Sequence, residues 1–202
     1  MDKELYTIGH SNHQIEKFID LLKRHAISVV CDVRSQPYSR HNPQFNRETI
    51  QQRLKDQNIS YVFLGAELGA RSSDTSCTGS GKVQFNCLSQ TSKFRDGIKR
   101  VNTGMDSYRV ALMCAEKDPL LCHRTMLICR SLRNEGMFIK HILADGSVET
   151  NAEMEKRLLR LLNIPEDDLF LDHEQLVSRA YDMQSDKIAY VAEVKKCAKS
   201  DN

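Results

Sequence analysis

The chain has 202 residues, 40% of them hydrophobic and 28% charged, with 29 basic side chains against 27 acidic and a net charge of +2. That length suits one domain around a single core. The balanced charge excludes the strongly cationic composition of a general nucleic-acid binder, though not a local basic patch. No run approaches the ~20 apolar residues of a bilayer span, and the opening MDKELYTIGH lacks the apolar stretch of a signal peptide, so a cytoplasmic protein away from membranes is expected. The seven cysteines, at 31, 77, 87, 114, 122, 129 and 197, are odd in number and irregular in spacing. They do not read as a disulfide framework, and reduced thiols are expected.

In chain order, Leu5 to Ile8 reads as a short strand closed by Gly9, and Ser11-Asn12-His13-Gln14 has the pattern of a capping box. Ile15, Phe18, Ile19 and Leu22 then fall at helical spacing, which predicts a helix over 12–25. Ile27 to Val33 is the strongest strand pattern in the chain. The stretch 34–45, RSQPYSRHNPQF, has two prolines and no period, so it reads as a loop. A helix over 46–57 and a strand over 60–64 follow, and then 65–90, rich in Gly, Ser and Thr, reads as a long functional or mobile insertion. A helix over 91–103, a strand over 108–114, a helix over 119–135 and a strand over 138–143 complete the alternation.

Alternating strands and helices predict an α/β fold, with a mainly parallel five-stranded sheet and helices on both faces. Residues 150–163 and 172–197 add C-terminal helices, and the last residues read as a frayed tail. The expected division is a core over 1–146 and a helical extension over 147–202, packed on the core or on a partner.

Parallel α/β sheets bind ligands at the carboxyl ends of their strands. Three polar clusters begin at such ends: Gly9-His10-Ser11, then Asp32-Val33-Arg34 with Ser39 and Arg40, and then CAEKDPLLCHR after the strand that ends at Cys114. In the last of these, Asp118 suits a helix cap and Pro119 the first helical position. Cys122 then falls at the helix start, where the dipole, His123 and Arg124 favour its thiolate. The free amides and the arginine also suit an anion. The plainer alternatives are real. Cys114 and Cys129 read as packing, Asp118 as a cap, and Arg124 as a partner for Glu116, while Cys122 is balanced between packing and chemistry. Asp32 is harder to dismiss, because a carboxylate ending a buried strand needs a partner such as Arg34 or Ser11. Cys114, Cys122, His123, His10 and His141 could in principle converge on a metal, but the C-x7-C spacing is not a usual zinc pattern, so neither a metal nor another cofactor is expected. There is no Walker loop or dinucleotide glycine fingerprint, and Gly79-Ser80-Gly81-Lys82 has the wrong context for a phosphate loop.

The segments YTIGHSN, CDVRSQPYSRHNPQFN, YVFLGAELGAR, ALMCAEKDPLLCHR and HILADG, in this order, resemble the family called domain of unknown function 488. The resemblance implies an α/β domain but no assigned activity. It carries family positions onto Gly9, His10 and Ser11, then onto Asp32, Arg34, Pro37 and Ser39, and onto Phe45, Tyr61, Leu68 and Gly69. Its most specific block marks Cys114, Glu116, Asp118, Pro119, Cys122, His123 and Arg124, with His141 further on. Ala70 stands where the family usually has a second glycine, and 72–82 is unlike the shorter segment expected there. The layout is also loosely similar to rhodanese-like domains, with Asp32-Val33-Arg34 and Cys114 in comparable places.

The leading expectation is an enzyme with an anion pocket for a phosphorylated small molecule or a nucleic-acid phosphate. Arg34, Arg40 and Arg124, aided by Ser11, Ser39 and Tyr61, hold the anion. Cys122, or else Cys114, is the nucleophile, with His123 or His10 carrying the proton and Glu116 or Asp32 orienting it. The alternatives are a non-catalytic nucleic-acid-binding or regulatory module gripping phosphates through 34–47, and a structural metal domain. A homodimer stays open.

Overall fold

The computed structural model of the chain describes residues 3–71, 75–79, 81–133 and 135–191. Strand β1 (Glu4–Gly9) leads to α1 (Ile15–Arg24), β2 (Val29–Asp32), α2 (Arg47–Lys55) and β3 (Ser60–Phe63). A short helix α3 (Gly65–Leu68), the two-residue strands β4 (Thr78–Gly79) and β5 (Lys82–Val83), and α4 (Phe85–Ser89) precede α5 (Ser92–Met105) and β6 (Val110–Cys114). The chain continues through α6 (Arg130–Arg133), β7 (Phe138–Ile142), β8 (Val148–Thr150), α7 (Asn151–Leu161) and α8 (His173–Ile188).

The central sheet has six strands in the order β3-β2-β6-β1-β7-β8. The first five run parallel, and β8 pairs antiparallel with β7. The five expected strands are all present. The sixth is added by a tight turn in which Ser147 N donates to Asp145 Oδ1 at 2.9 Å and Gly146 takes a φ of +94°. Three residues are too few for alternation to reveal a strand.

Side-chain alternation sorts the core into two layers. Tyr6, Ile8, Val30, Ala111 and Met113 face α1 and α2, which supply Phe18, Leu22, Ile50 and Leu54. Leu5, Val29, Cys31, Val110, Leu112 and Cys114 face the opposite way, toward α5, α7, α8 and the segment around Met126. Helices therefore cover both faces. Leu158, Leu159, Val177 and Tyr181 of α7 and α8 share the second layer, so the C-terminal helices complete that core. Both helices begin with a capping box, Thr150 with Glu153 and Asp172 with Gln175.

Three local expectations are corrected. Ser11 does not cap α1, because His10 N donates to Cys114 O at 2.9 Å and Ser11 N to Ala115 O at 2.8 Å, so the chain follows β6 beyond the strand end before turning. The expected helix over 119–135 breaks into a 3₁₀ turn at Pro119–Leu121, an extended Cys122, a π-helical segment at Arg124–Cys129, and α6. The long insertion holds small elements of its own, and Cys77 and Cys87 form a disulfide across it, against the expectation of reduced thiols. Their Cα atoms are 5.4 Å apart, within bonding range. Elements of two to five residues show no period that could have announced this proximity. The expected tail lies outside the described residues. No described helix is long and apolar enough to cross a membrane.

Gly9 is fixed by space. A Cβ there would lie 1.9 Å from Glu116 O and 3.2 Å from Lys117 Cα. Gly9→Ala should cost about 1–3 kcal/mol through displacement of the 115–117 loop, read as a lower urea midpoint; an unchanged midpoint would show that this close crossing is not needed.

Candidate functional site

The three polar clusters do meet at the carboxyl edge of β1, β2 and β6, in two linked groups. The first is built on Asp32, whose side chain continues the Val30 face of β2. Asp32 Oδ1 accepts from Arg34 N at 3.1 Å and Arg34 Nε at 2.9 Å, and Oδ2 accepts from Arg34 Nη2 at 2.6 Å and Tyr61 OH at 2.7 Å. Arg34 Nη2 also donates to Phe45 O at 2.9 Å. Arg34 Nη1 lies 3.2 Å from His10 Nε2, while His10 Nδ1 lies 2.9 Å from Ser11 O. These partners place the proton of a neutral His10 on Nδ1 and leave Nε2 as the acceptor. The ring stacks on Phe45 with centroids 4.3 Å apart. Asp32 and Arg34 are thus a buried, hydrogen-bonded ion pair.

The second group lies on the other face. Cys114 ends β6, and Cys122 is brought opposite it by the 3₁₀ turn, which Asp118 caps by accepting from Leu120 N at 2.9 Å. Arg157 clamps Asp118 from α7 with both Nη atoms at 2.9 Å. The thiols of Cys114 and Cys122 each lie 3.0 Å from Glu116 Oε2, and Cys114 Sγ lies 3.6 Å from His123 Nδ1. His123 Nε2 lies 3.0 Å from Val33 O. One donor atom from each of Cys114, Glu116, Cys122 and His123 falls within 4.8 Å of the other three, so this set could hold a metal. Arg124 is fully buried beside it, donating from Nη1 to Glu116 O at 2.7 Å. A cleft of about 280 Å³ joins the two groups, lined by Arg34 from the first and by Cys114, Glu116 and His123 from the second.

The family model for the domain of unknown function DUF488 matches residues 14–130, more than half the chain. The chain belongs to the DUF488 family. No curated protein and no solved structure matches it.

In this DUF488 domain, His10, Asp32, Arg34 and Tyr61 fall in the ion-pair group, and Cys114, Glu116, Cys122, His123 and Arg124 in the thiol group. Three other anticipated residues do other things. Ser39 Oγ shapes its loop by accepting from the amides of His41 and Asn42. Ser11 Oγ donates to Asn12, and Arg40 is exposed away from the cleft lining. Cys114, not Cys122, is the thiol that lines the cleft. Sequence reasoning missed Arg71, whose guanidinium sits 4.7 Å over the Tyr190 ring, with both residues lining the cleft. Arg71 follows LGA in the family-like segment, the one available signal. Nothing local links it to Tyr190.

Burial and position set the protonation pattern. Burial and the neighbouring Cys122 push the Cys114 thiol well up. Burial also acts to raise Cys122, but Cys114, Arg124 and His123 outweigh it and hold that thiol well below the usual range. Desolvation and Cys122 raise the Glu116 carboxyl. On His123, desolvation is outweighed by Cys122 and Glu116, so its pKa is raised. Elsewhere, burial and the Arg34 charge lower His10 to about 4. Burial and the Arg124 charge lower His141, which lies 2.9 Å from Thr7 Oγ1, to about 3.

Two predictions follow from these groups. An unfolded histidine takes its proton near pH 6.5, roughly, whereas His10 and His141 stay neutral to about 4 and about 3 in the fold. The unfolded state therefore binds more protons as pH falls. Their contribution is whole above pH 6.5 and is lost below it, by about 1.4 kcal/mol per pH unit per histidine. Urea unfolding between pH 7 and pH 4, roughly the span over which the unfolded histidines titrate, should show this slope, and His141→Asn should reduce it; an unaltered slope would remove His141 from the account. Separately, Asp32→Asn leaves Arg34 buried without its counter-charge and should cost about 3–5 kcal/mol. A loss under 1 kcal/mol, the scale of an exposed pair, roughly, would mean that the pair is solvated.

Proposed function

We propose that this DUF488 domain is an enzyme acting on a small anionic substrate, of the phosphate or nucleotide class, in the carboxyl-edge cleft. The observation that carries this reading is that Cys114, Glu116 and His123 line the same hollow as Arg34 and Arg71. Groups able to transfer protons and bind at a reacting atom thus stand beside cationic groups. At about 280 Å³, the cleft lies near the low end of small-molecule sites, which begin at roughly 300 Å³. It suits a phosphate or a mononucleotide better than a duplex.

The roles follow from the geometry. Arg71 is the exposed cation and holds the anion, with Tyr190 as the face beneath its guanidinium. Arg34 lends positive charge to the wall but spends most of its donors on Asp32 and Phe45 O. Asp32, Tyr61 and His10 are therefore positioning residues for Arg34. The reacting centre is the unit of Cys114, Cys122, Glu116 and His123. Glu116 reaches both thiols, and His123 is held through Nε2 with Nδ1 turned toward Cys114.

Titration with inorganic phosphate and nucleoside monophosphates, followed by amide NMR, tests the binding half. Shifts should cluster at Ala115, His123 and Arg71, and Arg71→Ala should weaken binding about tenfold or more, the worth of one charge-assisted hydrogen bond. The absence of shifts at those positions would overturn the anion site. Product formation from a panel of phosphoesters and nucleotides tests the enzyme half, and Glu116→Gln should lower turnover about 10²-fold or more. Oligonucleotide affinity that falls steeply with salt and is indifferent to Glu116→Gln would instead favour a non-catalytic nucleic-acid module.

A further inference from the structure

The geometry points to a binding site for a thiophilic divalent cation of the zinc class, formed by Cys114, Cys122, His123 and Glu116 at the floor of the cleft. This deepens the reading of the same cleft and rests on it for one point only, that the exposed side of the centre faces substrate.

The first argument is distance. Zinc binds thiolate sulfur at about 2.3 Å and imidazole nitrogen or carboxylate oxygen at about 2.0 Å, in a tetrahedron. Two such ligands on one ion stand about 3.3–3.8 Å apart. Cys114 Sγ and His123 Nδ1 are 3.6 Å apart. The two Sγ–Glu116 Oε2 distances are 3.0 Å, and no pair of the four atoms exceeds 4.8 Å. Changes of up to about 1 Å in these separations, within side-chain freedom, turn this cluster into a coordination shell. Four donors of three types, from two segments joined by a 3₁₀ turn, thus meet at one point.

The second argument is the support behind the ligands. A metal-bound histidine almost always gives its other ring N–H to a carbonyl or carboxylate, which fixes the tautomer and aims the free lone pair. His123 has this arrangement: Nε2 lies 3.0 Å from Val33 O, and Nδ1 is the atom that faces the sulfurs. Charge also balances. Two thiolates and a carboxylate bring three negative charges, and a divalent cation with the fully buried Arg124 brings three positive ones. On binding, the Cys114 thiol, and any other ligand still protonated, surrenders its proton to solvent, and each sulfur donates a lone pair to the ion. No oxidation is involved.

The third argument is selectivity and access. Two thiolates and an imidazole select zinc, or a similar soft divalent ion, over magnesium and calcium, which prefer all-oxygen shells. Cys122 closes the centre from the protein side, whereas Cys114, His123 and Glu116 line the cleft. Glu116 is the one exposed member and so the ligand placed to give way to substrate.

The test uses the full chain, stripped with a chelator and titrated with Co(II). The expected result is stoichiometric binding, with ligand-field bands of a tetrahedral ion and a near-ultraviolet thiolate-to-cobalt charge-transfer band. Cys114→Ser and Cys122→Ser should each lose about half of that band, and His123→Ala should shift the ligand-field bands. Cys31→Ala, in the core away from the cluster, should leave the spectrum unchanged. Because a ligand variant can fail to fold, wild-type protein is also alkylated with and without Zn(II) and mapped. Zinc should protect Cys114 and Cys122 and leave Cys31 unaffected. No charge-transfer band in the wild type, or equal alkylation of both thiols with and without zinc, would overturn the site. Phosphate shifts at Arg71 that persist without cobalt binding would remove the metal and keep the cleft. A normal cobalt spectrum without phosphate shifts would do the reverse.

Discussion

The close parallel run of β1 and β6 past their own ends is the constraint on which the site depends. The amides of His10 and Ser11 bond the carbonyls of Cys114 and Ala115, extending the pairing two residues beyond the strand. The 115–117 loop then crosses Gly9 so closely that no side chain fits there. Arg124 holds the same loop from the other side, through Glu116 O and, at 3.4 Å, Thr7 Oγ1. A buried guanidinium is costly where it has only neutral acceptors such as these. Its charge is best compensated by negative charge on the adjacent thiols and carboxylate. The fold thus sets a buried positive charge directly beside the thiol group.

The two faces of the sheet divide the work. In the Asp32 group each guanidinium nitrogen of Arg34 has a partner, and both oxygens of Asp32 are engaged. Such a pair rigidifies its surroundings more than it stabilises them, since desolvation consumes most of the attraction. The thiol group differs: Cys114, Glu116, Cys122 and His123 crowd together, and all but Cys122 open onto the cleft. The disulfide-linked segment supplies Phe85 to the cleft lining, the end of α8 supplies Ile188, and the chain just after it supplies Tyr190. The late parts of the chain thereby become walls of a site whose floor is set much earlier.

Much of this was legible before any coordinates. Strand runs such as Ile27 to Val33 carry their own signature, and the carboxyl-end rule placed His10, Asp32, Arg34 and Cys114 along one edge. Asp118-Pro119 announced a cap, and the cap is there. Less was legible about what each residue does at that edge. Arg34 and Arg124 look alike as cations in the sequence, but one is bound to Asp32 and the other is sealed beneath Glu116. Cys114 reads as the last apolar residue of a strand, yet it lines the cleft, while Cys122 lies behind it. The same weakness hid Arg71 with Tyr190 and Cys77 with Cys87, which are brought together by short elements without a period.

The sequence by itself determined the α/β class, the five parallel strands, the edge where the polar clusters collect and membership in the DUF488 family, because these rest on periodicity and on local motifs that need no distant partner. Only the tertiary structure decided which side chains share a point. The crossing over Gly9, the grouping of Cys114, Glu116, Cys122 and His123, and the neutralisation of Arg34 all depend on the register between β1, β2 and β6. That register is set by packing two helical layers against one sheet, and it leaves no mark in any single stretch of chain.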